Sequence, residues 1–176
     1  KILIYGLGRS GLSAFYFLKN KSKVFLYDDF QIKNKKFISH KNILKIKFDY
    51  IIISPGIDIN KCKLSKFLKK FRNKIYSDLD VFYSFYKNDC ITITGTNGKS
   101  TTCKLLYEVL SEQKKDIRLV GNIGNPILSE KKIRPKTFFI VEASSYQLEY
   151  SRIFKSKYAA VLNISPDHIE RHKTLK

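Results

Sequence analysis

The residues best suited to carry chemistry lie in a glycine-rich stretch near the middle of the chain, Gly95-Thr96-Asn97-Gly98-Lys99-Ser100-Thr101. Glycines let successive backbone N–H groups converge on a phosphate, and a helix that starts there adds the positive end of its dipole. Lys99 can reach the β- and γ-phosphates of a nucleotide, and the hydroxyl of Ser100 or Thr101 can hold Mg²⁺. The stretch therefore predicts a P-loop that binds ATP through residues 95–101.

The segments around this loop are those of a P-loop, although the loop itself is short. Residues 91–94 are mostly β-branched and predict a buried strand, and the apolar spacing over residues 105–110 predicts a helix. The usual pattern G-x-x-x-x-G-K-[ST] is shortened to G-x-x-G-K-S-T, with Ile93 where the first glycine would fall. We interpret the departure as a subclass of P-loop, the alternative being a strand–helix turn that contains Gly-Lys-Ser by chance.

Two side chains near the ends of later predicted strands are candidate metal ligands. The apolar run 137–142 ends in Glu142, where P-loop enzymes carry an acidic ligand for Mg²⁺. The alternative for Glu142 is a carboxylate at a helix N-terminus. The run 158–164 predicts another buried strand, and His168 beyond it either binds a second metal or is a plain surface histidine. His168 and His172 belong to an H-x-E-x-H sequence, which excludes the H-E-x-x-H zinc-protease motif.

A second glycine loop, Gly6-Leu7-Gly8-Arg9-Ser10-Gly11, follows the first predicted strand, residues 1–5. A helix and a strand over residues 23–27 come next, and that strand ends at Asp28. An acidic residue about 20 positions beyond a G-x-G-x-x-G loop is typical of dinucleotide-binding proteins. The same loop can bind any pyrophosphate, so NAD and UDP-linked sugars are both candidate ligands. Asp28 could also be a solvated loop carboxylate.

The order of the predicted elements indicates an α/β protein with two domains. Further elements are a strand over 49–53 that runs into Ser54-Pro55-Gly56-Ile57, an amphipathic helix over 61–71, a strand over 75–76, a helix over 78–86 and a strand from 117 that runs into a turn at 121–126. We place the domain boundary at the polar break Lys87-Asn88-Asp89. The prediction is a Rossmann-like domain over residues 1–88 followed by a P-loop domain over residues 89–176.

Composition restricts the classes of partner. The formal net charge is +19, but the lysines are scattered along the 176 residues without an arginine-rich stripe. We therefore expect no nucleic-acid partner. No apolar run approaches the roughly 20 residues of a membrane span, so we expect no membrane partner either. The three cysteines contain no C-x-x-C pair, which argues against a zinc site and fits a reducing cytoplasm. We expect a monomer.

Together these motifs resemble those of the Mur ligases, the amino-acid-adding enzymes of peptidoglycan synthesis. The resemblance covers the chain in order and rests on the loops 95–101 and 6–13, the turn 54–57, the run 163–171 and the run Glu142-Ala143-Ser144-Ser145-Tyr146-Gln147-Leu148-Glu149. That last run is the most specific, and it resembles the corresponding residues in the branch of the family that adds D-glutamate. Folylpolyglutamate synthase shares the ATP loop but generally lacks a first domain with a glycine loop.

The resemblance implies a role for each matching position. Lys99 would bind the ATP phosphates, Ser100 and Glu142 would hold one Mg²⁺, and His168 would help to hold a second, which makes Lys99, Glu142 and His168 the catalytic group. The implied substrate-contacting residues are Arg9, Ser10, Asp28, Gly56, Asn122, Ser144 and Gln147. The implied substrates are UDP-N-acetylmuramoyl-L-alanine, D-glutamate and ATP.

The chain also departs from the family at several positions. Ser10 stands where family members often have Thr, and Asp29-Phe30 stands where they often have Thr-Arg, which alters the predicted uracil pocket. The family carries a carbamylated lysine beyond the His168 motif and a third, Rossmann-like domain. We expect a chain that stops at Lys176 to lack both and to be inactive alone.

Two other classes of function remain as alternatives. An NAD-dependent oxidoreductase would use the first glycine loop but would leave the P-loop and Glu142 without a role. A basic nucleic-acid-binding module would not depend on Lys99.

Overall fold

A computed structural model of the chain describes residues 1–30, 37–113, 115–166 and 171. The chain divides into two compact units. The first consists of Lys1–Phe85, Ile127–Ser129 and Tyr146–Phe154, and the second of Tyr86–Pro126, Glu130–Ser145 and the described part of 155–176. Sequence analysis did not anticipate the two later segments that join the first unit. The domain organisation as 1–88 and 89–176 stays a prediction.

The first unit is built on a parallel sheet. Its strands are β1 (Ile2–Tyr5), β2 (Val24–Tyr27), β3 (Tyr50–Ile53) and β4 (Ile75–Tyr76), and its first four helices are α1 (Arg9–Leu18), α2 (His40–Ile43), α3 (Ser65–Lys70) and α4 (Asp78–Phe85). The strand order is β2-β1-β3-β4. The apolar runs of β1 and β3 lie in the middle of the sheet and are almost wholly buried, as expected for strands covered on both faces.

The second unit has a parallel sheet of its own. Its strands are β5 (Cys90–Thr94), β6 (Ile117–Gly121), β7 (Phe138–Glu142) and β8 (Tyr158–Val161), and its long helix is α5 (Lys99–Glu112). Helix α6 (Ser145–Tyr150) follows β7. The strand order is β6-β7-β5-β8, so β7, which is apolar up to Glu142, is flanked by a strand on each side. None of the helices in the described residues is long and apolar enough to cross a lipid bilayer.

The predicted α/β fold class is confirmed, and each unit has one parallel sheet, but two details of the sequence interpretation are wrong. The helix expected over residues 61–71 begins only at Ser65, because Asp58 holds the preceding chain in a turn by accepting a 2.8 Å hydrogen bond from Asn60 N. The strand expected to be buried over residues 158–164 is β8, whose Tyr158 and Val161 are 55% and 60% exposed. It is exposed because, among the described strands, β8 pairs with β5 alone.

Candidate functional site

The glycine-rich loop of the second unit connects β5 to the N-terminus of α5. Gly95 (φ 139°) and Gly98 (φ 80°) have left-handed backbone conformations that other residues rarely adopt. Lys99 is the first residue of α5, and its Nζ donates hydrogen bonds to the carbonyl oxygens of Gly95 (2.6 Å) and Thr96 (2.7 Å). The loop therefore combines a cation held over its own backbone with the N-terminus of a 14-residue helix, which suits a phosphate ligand.

The segment after β8 holds this loop in place through Asn163. The backbone N of Asn97 donates to Asn163 Oδ1 (2.9 Å), and Asn163 Nδ2 donates back to the carbonyl oxygen of Asn97 (3.0 Å). Thr96 Oγ1 exchanges similar bonds with the main chain of Ser165, accepting from N (3.0 Å) and donating to O (3.2 Å). Sequence reasoning gave Asn163 no role of its own. Its place just beyond a predicted strand in a P-loop domain was the available signal.

Glu142 ends β7 and is fully buried. Asn122 contacts it twice, since Asn122 Nδ2 donates to Glu142 Oε1 (2.9 Å) and Asn122 N donates to the Glu142 carbonyl oxygen (2.9 Å). Gly121 permits this close approach, because a Cβ at its positive φ would lie 2.2 Å from the Glu142 carbonyl oxygen. Oε2 of Glu142 has no hydrogen-bond partner within the described part of the chain. A buried carboxylate oxygen without a donor is unfavourable unless a cation faces it, so Glu142 fits a Mg²⁺ ligand.

Cys103 on the P-loop helix α5 lies near Glu142. This thiol is fully buried, and burial together with the nearby negative charge of Glu142 raises the pKa of Cys103 to about 12. Ser100 lies three residues earlier on α5 and therefore on the same side of the helix. The described residues contain no group of three or more His, Cys, Asp or Glu side chains that could hold a metal. Mg²⁺ would thus rely on Glu142, a hydroxyl such as Ser100 and the oxygens of a bound nucleotide.

In the first unit, the glycine loop after β1 packs against the Ser54-Pro55-Gly56 turn. Ser54 Oγ donates a 2.6 Å hydrogen bond to the Gly6 carbonyl oxygen, and a Cβ on Gly11 would lie 1.9 Å from that same oxygen. Only glycine therefore allows α1 to start so close to the loop. Gly56 differs, because it is exposed and a Cβ there would meet nothing within 4 Å. Packing therefore does not explain why residue 56 is a glycine.

Asp28 joins the glycine loop to the end of β2. Its carboxylate accepts hydrogen bonds from Leu7 N (2.7 Å) and Phe30 N (2.9 Å). The next residue, Asp29, accepts from the buried Tyr5 hydroxyl (2.7 Å) and from Lys63 N (3.2 Å). Both carboxylates border a cavity of about 500 Å³, whose lining is Tyr27, Asp28, Asp29, Ser39, His40 and Lys63.

Ser10 and Gln147 are distant in sequence but are brought together by Asp78, the first residue of α4. Gln147 Nε2 donates to Asp78 Oδ1 (3.3 Å), and the Ser10 side chain also hydrogen-bonds this carboxylate. Burial raises the pKa of Asp78, and the bonds from Gln147 and Ser10 oppose that rise. Sequence reasoning missed Asp78. The available signal was an acidic residue that opens a predicted helix directly after a strand.

The other predicted residues are more dispersed. Arg9 is the exposed first residue of α1, and Thr101 is exposed in the first turn of α5. Ser144 is partly buried, and it lies in the second unit with Glu142, whereas Gln147 lies in the first. His168 lies outside the described residues. A larger cavity of about 770 Å³ near the starts of β6 and β7 contains none of the predicted residues.

Comparison with known proteins gives consistent results. Residues 93–176 match the Mur ligase middle domain. A UDP-N-acetylmuramoylalanine–D-glutamate ligase from Rickettsia bellii is 37% identical over 98% of this chain and 40% of its own length. The ligase of the same name from Caldicellulosiruptor bescii is 35% identical over 99% of this chain and 42% of its own length. The chain thus spans about two fifths of these curated relatives.

Solved structures agree on the fold. A UDP-N-acetylmuramate:L-alanyl-gamma-D-glutamyl-meso-diaminopimelate ligase from Neisseria meningitides superposes with a TM-score of 0.58 at 16% identity, covering 99% of this chain and 63% of that protein. A UDP-N-acetylmuramate-alanine ligase from Thermotoga maritima gives 0.55 at 20% identity, covering 99% of this chain and 44% of that protein. These likenesses concern the fold alone; the domain match and the relatives aligned over nearly the whole chain show that the chain belongs to the Mur ligase family.

Proposed function

We propose that this chain supplies the UDP-substrate site and the ATP site of an ATP-dependent ligase that joins D-glutamate to UDP-N-acetylmuramoyl-L-alanine. The proposal is supported by the relatives that bear this activity in their names and align with nearly the whole chain. The structural observation that carries it is the buried Glu142, whose Oε1 is bonded to Asn122 and whose Oε2 has no partner among the described residues. Peptidoglycan precursor synthesis in the cytoplasm would be its setting.

The first chemical step would be attack of the alanine carboxylate on the γ-phosphorus of ATP. An O–P bond forms to the carboxylate, the bond from the γ-phosphorus to ADP breaks, and an acyl phosphate results. The step brings two anions together, so it needs positive charge held in place beforehand. Lys99 and the N-terminus of α5 would provide that charge.

Mg²⁺ would screen the charge on the phosphate oxygens when bound. Glu142 and Ser100 would hold it, and Asn122 would keep the Glu142 carboxylate in one orientation through the 2.9 Å bond to Oε1. His168 would contribute to a second ion. Ser144, two residues beyond Glu142, would face the carboxylate end of the substrate.

The second step would be attack of the D-glutamate amine on the acyl carbon. The C–N bond forms, the C–O bond to phosphate breaks, phosphate leaves and the amine loses a proton. The amide product retains the UDP-sugar. In this scheme the energy of ATP is used only to make the carboxylate oxygen a good leaving group.

The first unit would bind the UDP part of the substrate. Arg9 at the exposed start of α1 would meet the diphosphate, together with the N-terminus of that helix. Ser10, Gly56 and Gln147 would line the site around the UDP part of the substrate. Asp28 would act by holding the glycine loop through Leu7 N and by bordering the cavity beside it. Rossmann-like loops bind pyrophosphates in this way whatever nucleoside is attached.

The test is phosphate release by the full-length product of the gene, with ATP, Mg²⁺ and UDP-N-acetylmuramoyl-L-alanine. We expect release only when D-glutamate is also present, and no response to L-glutamate or to other amino acids. Release that responds to another amino acid instead would keep the ligase chemistry and reject the proposed step. A folded protein that binds NAD and releases no phosphate would reject the ligase.

A further inference from the structure

We propose that Asp78 and Asp80, two buried carboxylates in the first turn of α4, are positioning residues for the UDP-substrate site. Asp78 would set the orientation of Ser10 and Gln147, and Asp80 would fix the chain that follows α6. The inference rests on the proposed function, because it assigns the substrate contacts of this unit to Ser10 and Gln147.

Asp78 links two segments that are distant in sequence, the start of α1 and helix α6. It is only 2% exposed, and it accepts bonds from Gln147 on α6 and from Ser10 at the start of α1. Its Oδ1 also accepts from Leu79 N (3.1 Å), so the carboxylate is held by the N-terminus of its own helix. A short side chain bonded in this way has few alternative rotamers. The two candidate substrate residues are therefore oriented from one fixed point.

Asp80 binds residues 152–154, which follow helix α6. Its Oδ1 accepts from the backbone N of Arg152 (2.9 Å), Ile153 (2.8 Å) and Phe154 (2.9 Å), and its Oδ2 accepts from Ser77 N (3.0 Å). Asp80 is 1% exposed, so its carboxylate is shielded from water. Three consecutive backbone N–H groups directed at one oxygen fix the turn after α6.

A third contact holds α6 between these two points. The Tyr150 hydroxyl donates to the Ile57 carbonyl oxygen (2.8 Å), directly after the Ser54-Pro55-Gly56 turn. The segment 147–154 is thus attached to α4 through Gln147 and through residues 152–154, and to the turn through Tyr150. Burying two carboxylates costs free energy that hydrogen bonds offset only in part, and a positioning role would account for their presence here.

The test compares Asp78→Asn and Asp80→Asn with the matched control Asp58→Asn in the full-length enzyme. Asn at position 78 replaces one acceptor oxygen with a donor that faces the Gln147 amide. We expect KM for UDP-N-acetylmuramoyl-L-alanine to rise about tenfold in D78N and D80N, while KM for ATP changes less than about twofold. Asp58 holds only a local turn through Asn60 N, so D58N should change neither constant.

A double variant separates positioning from general destabilisation. If Asp78 acts through Gln147, then Q147A should raise the substrate KM no further in the D78N background than D78N does alone. Equal shifts in both KM values, or additive effects of D78N and Q147A, would overturn the inference. Should D78N fail to fold, D80N carries the same expectation for the two KM values. An inactive wild-type enzyme would instead count against the proposed function itself.

Discussion

Asn122 contacts Glu142 through two hydrogen bonds of 2.9 Å, one from its side-chain amide to Oε1 and one from its backbone N to the carbonyl oxygen. The pair fixes both the strand end and the carboxylate plane. As a result Oε2 has a defined direction although no described residue bonds to it. This is the arrangement that a protein needs in order to hold a divalent cation beside a P-loop.

Replacing Glu142 by Gln should reduce Mg²⁺-dependent phosphate release by roughly 100-fold or more, because a preorganised charge next to the reacting phosphates is lost. The fold should be unaffected, since Gln Oε1 can still accept from Asn122. The measurement is steady-state phosphate release over a series of Mg²⁺ concentrations. Glu130→Gln is the matched control, because Glu130 Oε1 accepts from Asn125 Nδ2 (2.8 Å) in the same kind of pair. Equal losses in E142Q and E130Q would contradict the metal role.

Replacing Asn163 by Asp should weaken ATP binding about tenfold, because a carboxylate would face the carbonyl oxygen of Asn97 in place of a donor. Calorimetric titration with an ATP analogue measures the effect. Asn88→Asp is the control, since Asn88 Nδ2 donates to the carbonyl oxygens of Arg134 (2.7 Å) and Thr137 (2.9 Å) at the other end of the sheet. N88D should lower stability without changing ATP affinity. A similar loss of affinity in both variants would mean that Asn163 has only a structural role.

The two glycines that flank Arg9 and Ser10 should respond differently to substitution. Gly11→Ala places a Cβ 1.9 Å from the Gly6 carbonyl oxygen, an overlap with backbone that should destabilise the first unit by about 1–3 kcal/mol and abolish binding of the UDP substrate. Gly8→Ala meets nothing within 4 Å and should leave stability within about 0.5 kcal/mol. Urea denaturation and substrate titration provide the comparison. Equal stability of G8A and G11A would show that the loop geometry is wrong.

Asp78 should make stability depend on pH. Burial raises its pKa above the ordinary 3.8, so the folded state binds this proton more tightly than the unfolded state does. The resulting contribution to stability is fully present below pH 3.8 and is lost as the pH rises through the folded pKa. Urea denaturation from pH 3.5 to 7, taken as wild type minus D78N, should therefore show a falling difference. A difference that rises with pH would contradict the burial of this carboxylate.

Much of the fold could be predicted because it follows from local patterns. Short β-branched runs predicted the strands, and the two glycine loops predicted where helices begin after β1 and β5. The attachment of residues 146–154 to the first unit could not be predicted, because it depends on side-chain bonds from Gln147 and backbone bonds from residues 152–154 to α4. The exposure of β8 was also missed, since an apolar run does not reveal whether a strand lies at the edge of its sheet.

The candidate site likewise contains residues that sequence patterns indicated and residues whose roles they did not indicate. Lys99 and Glu142 could be proposed from sequence because a strand end or a glycine loop marks each of them. Asp78 and Asn163 had local signals, but their roles could not be proposed, because those roles come from partners far along the chain, Gln147 for the first and Asn97 for the second.

The most direct test of the proposed chemistry follows an oxygen atom. UDP-N-acetylmuramoyl-L-alanine labelled with ¹⁸O in its carboxylate would be supplied to the full-length enzyme with ATP, Mg²⁺ and D-glutamate, and the released phosphate analysed by mass spectrometry. An acyl phosphate intermediate requires one labelled oxygen to leave with each phosphate. Phosphate released without label, from an enzyme that still forms the amide, would contradict carboxylate activation at the P-loop and Glu142.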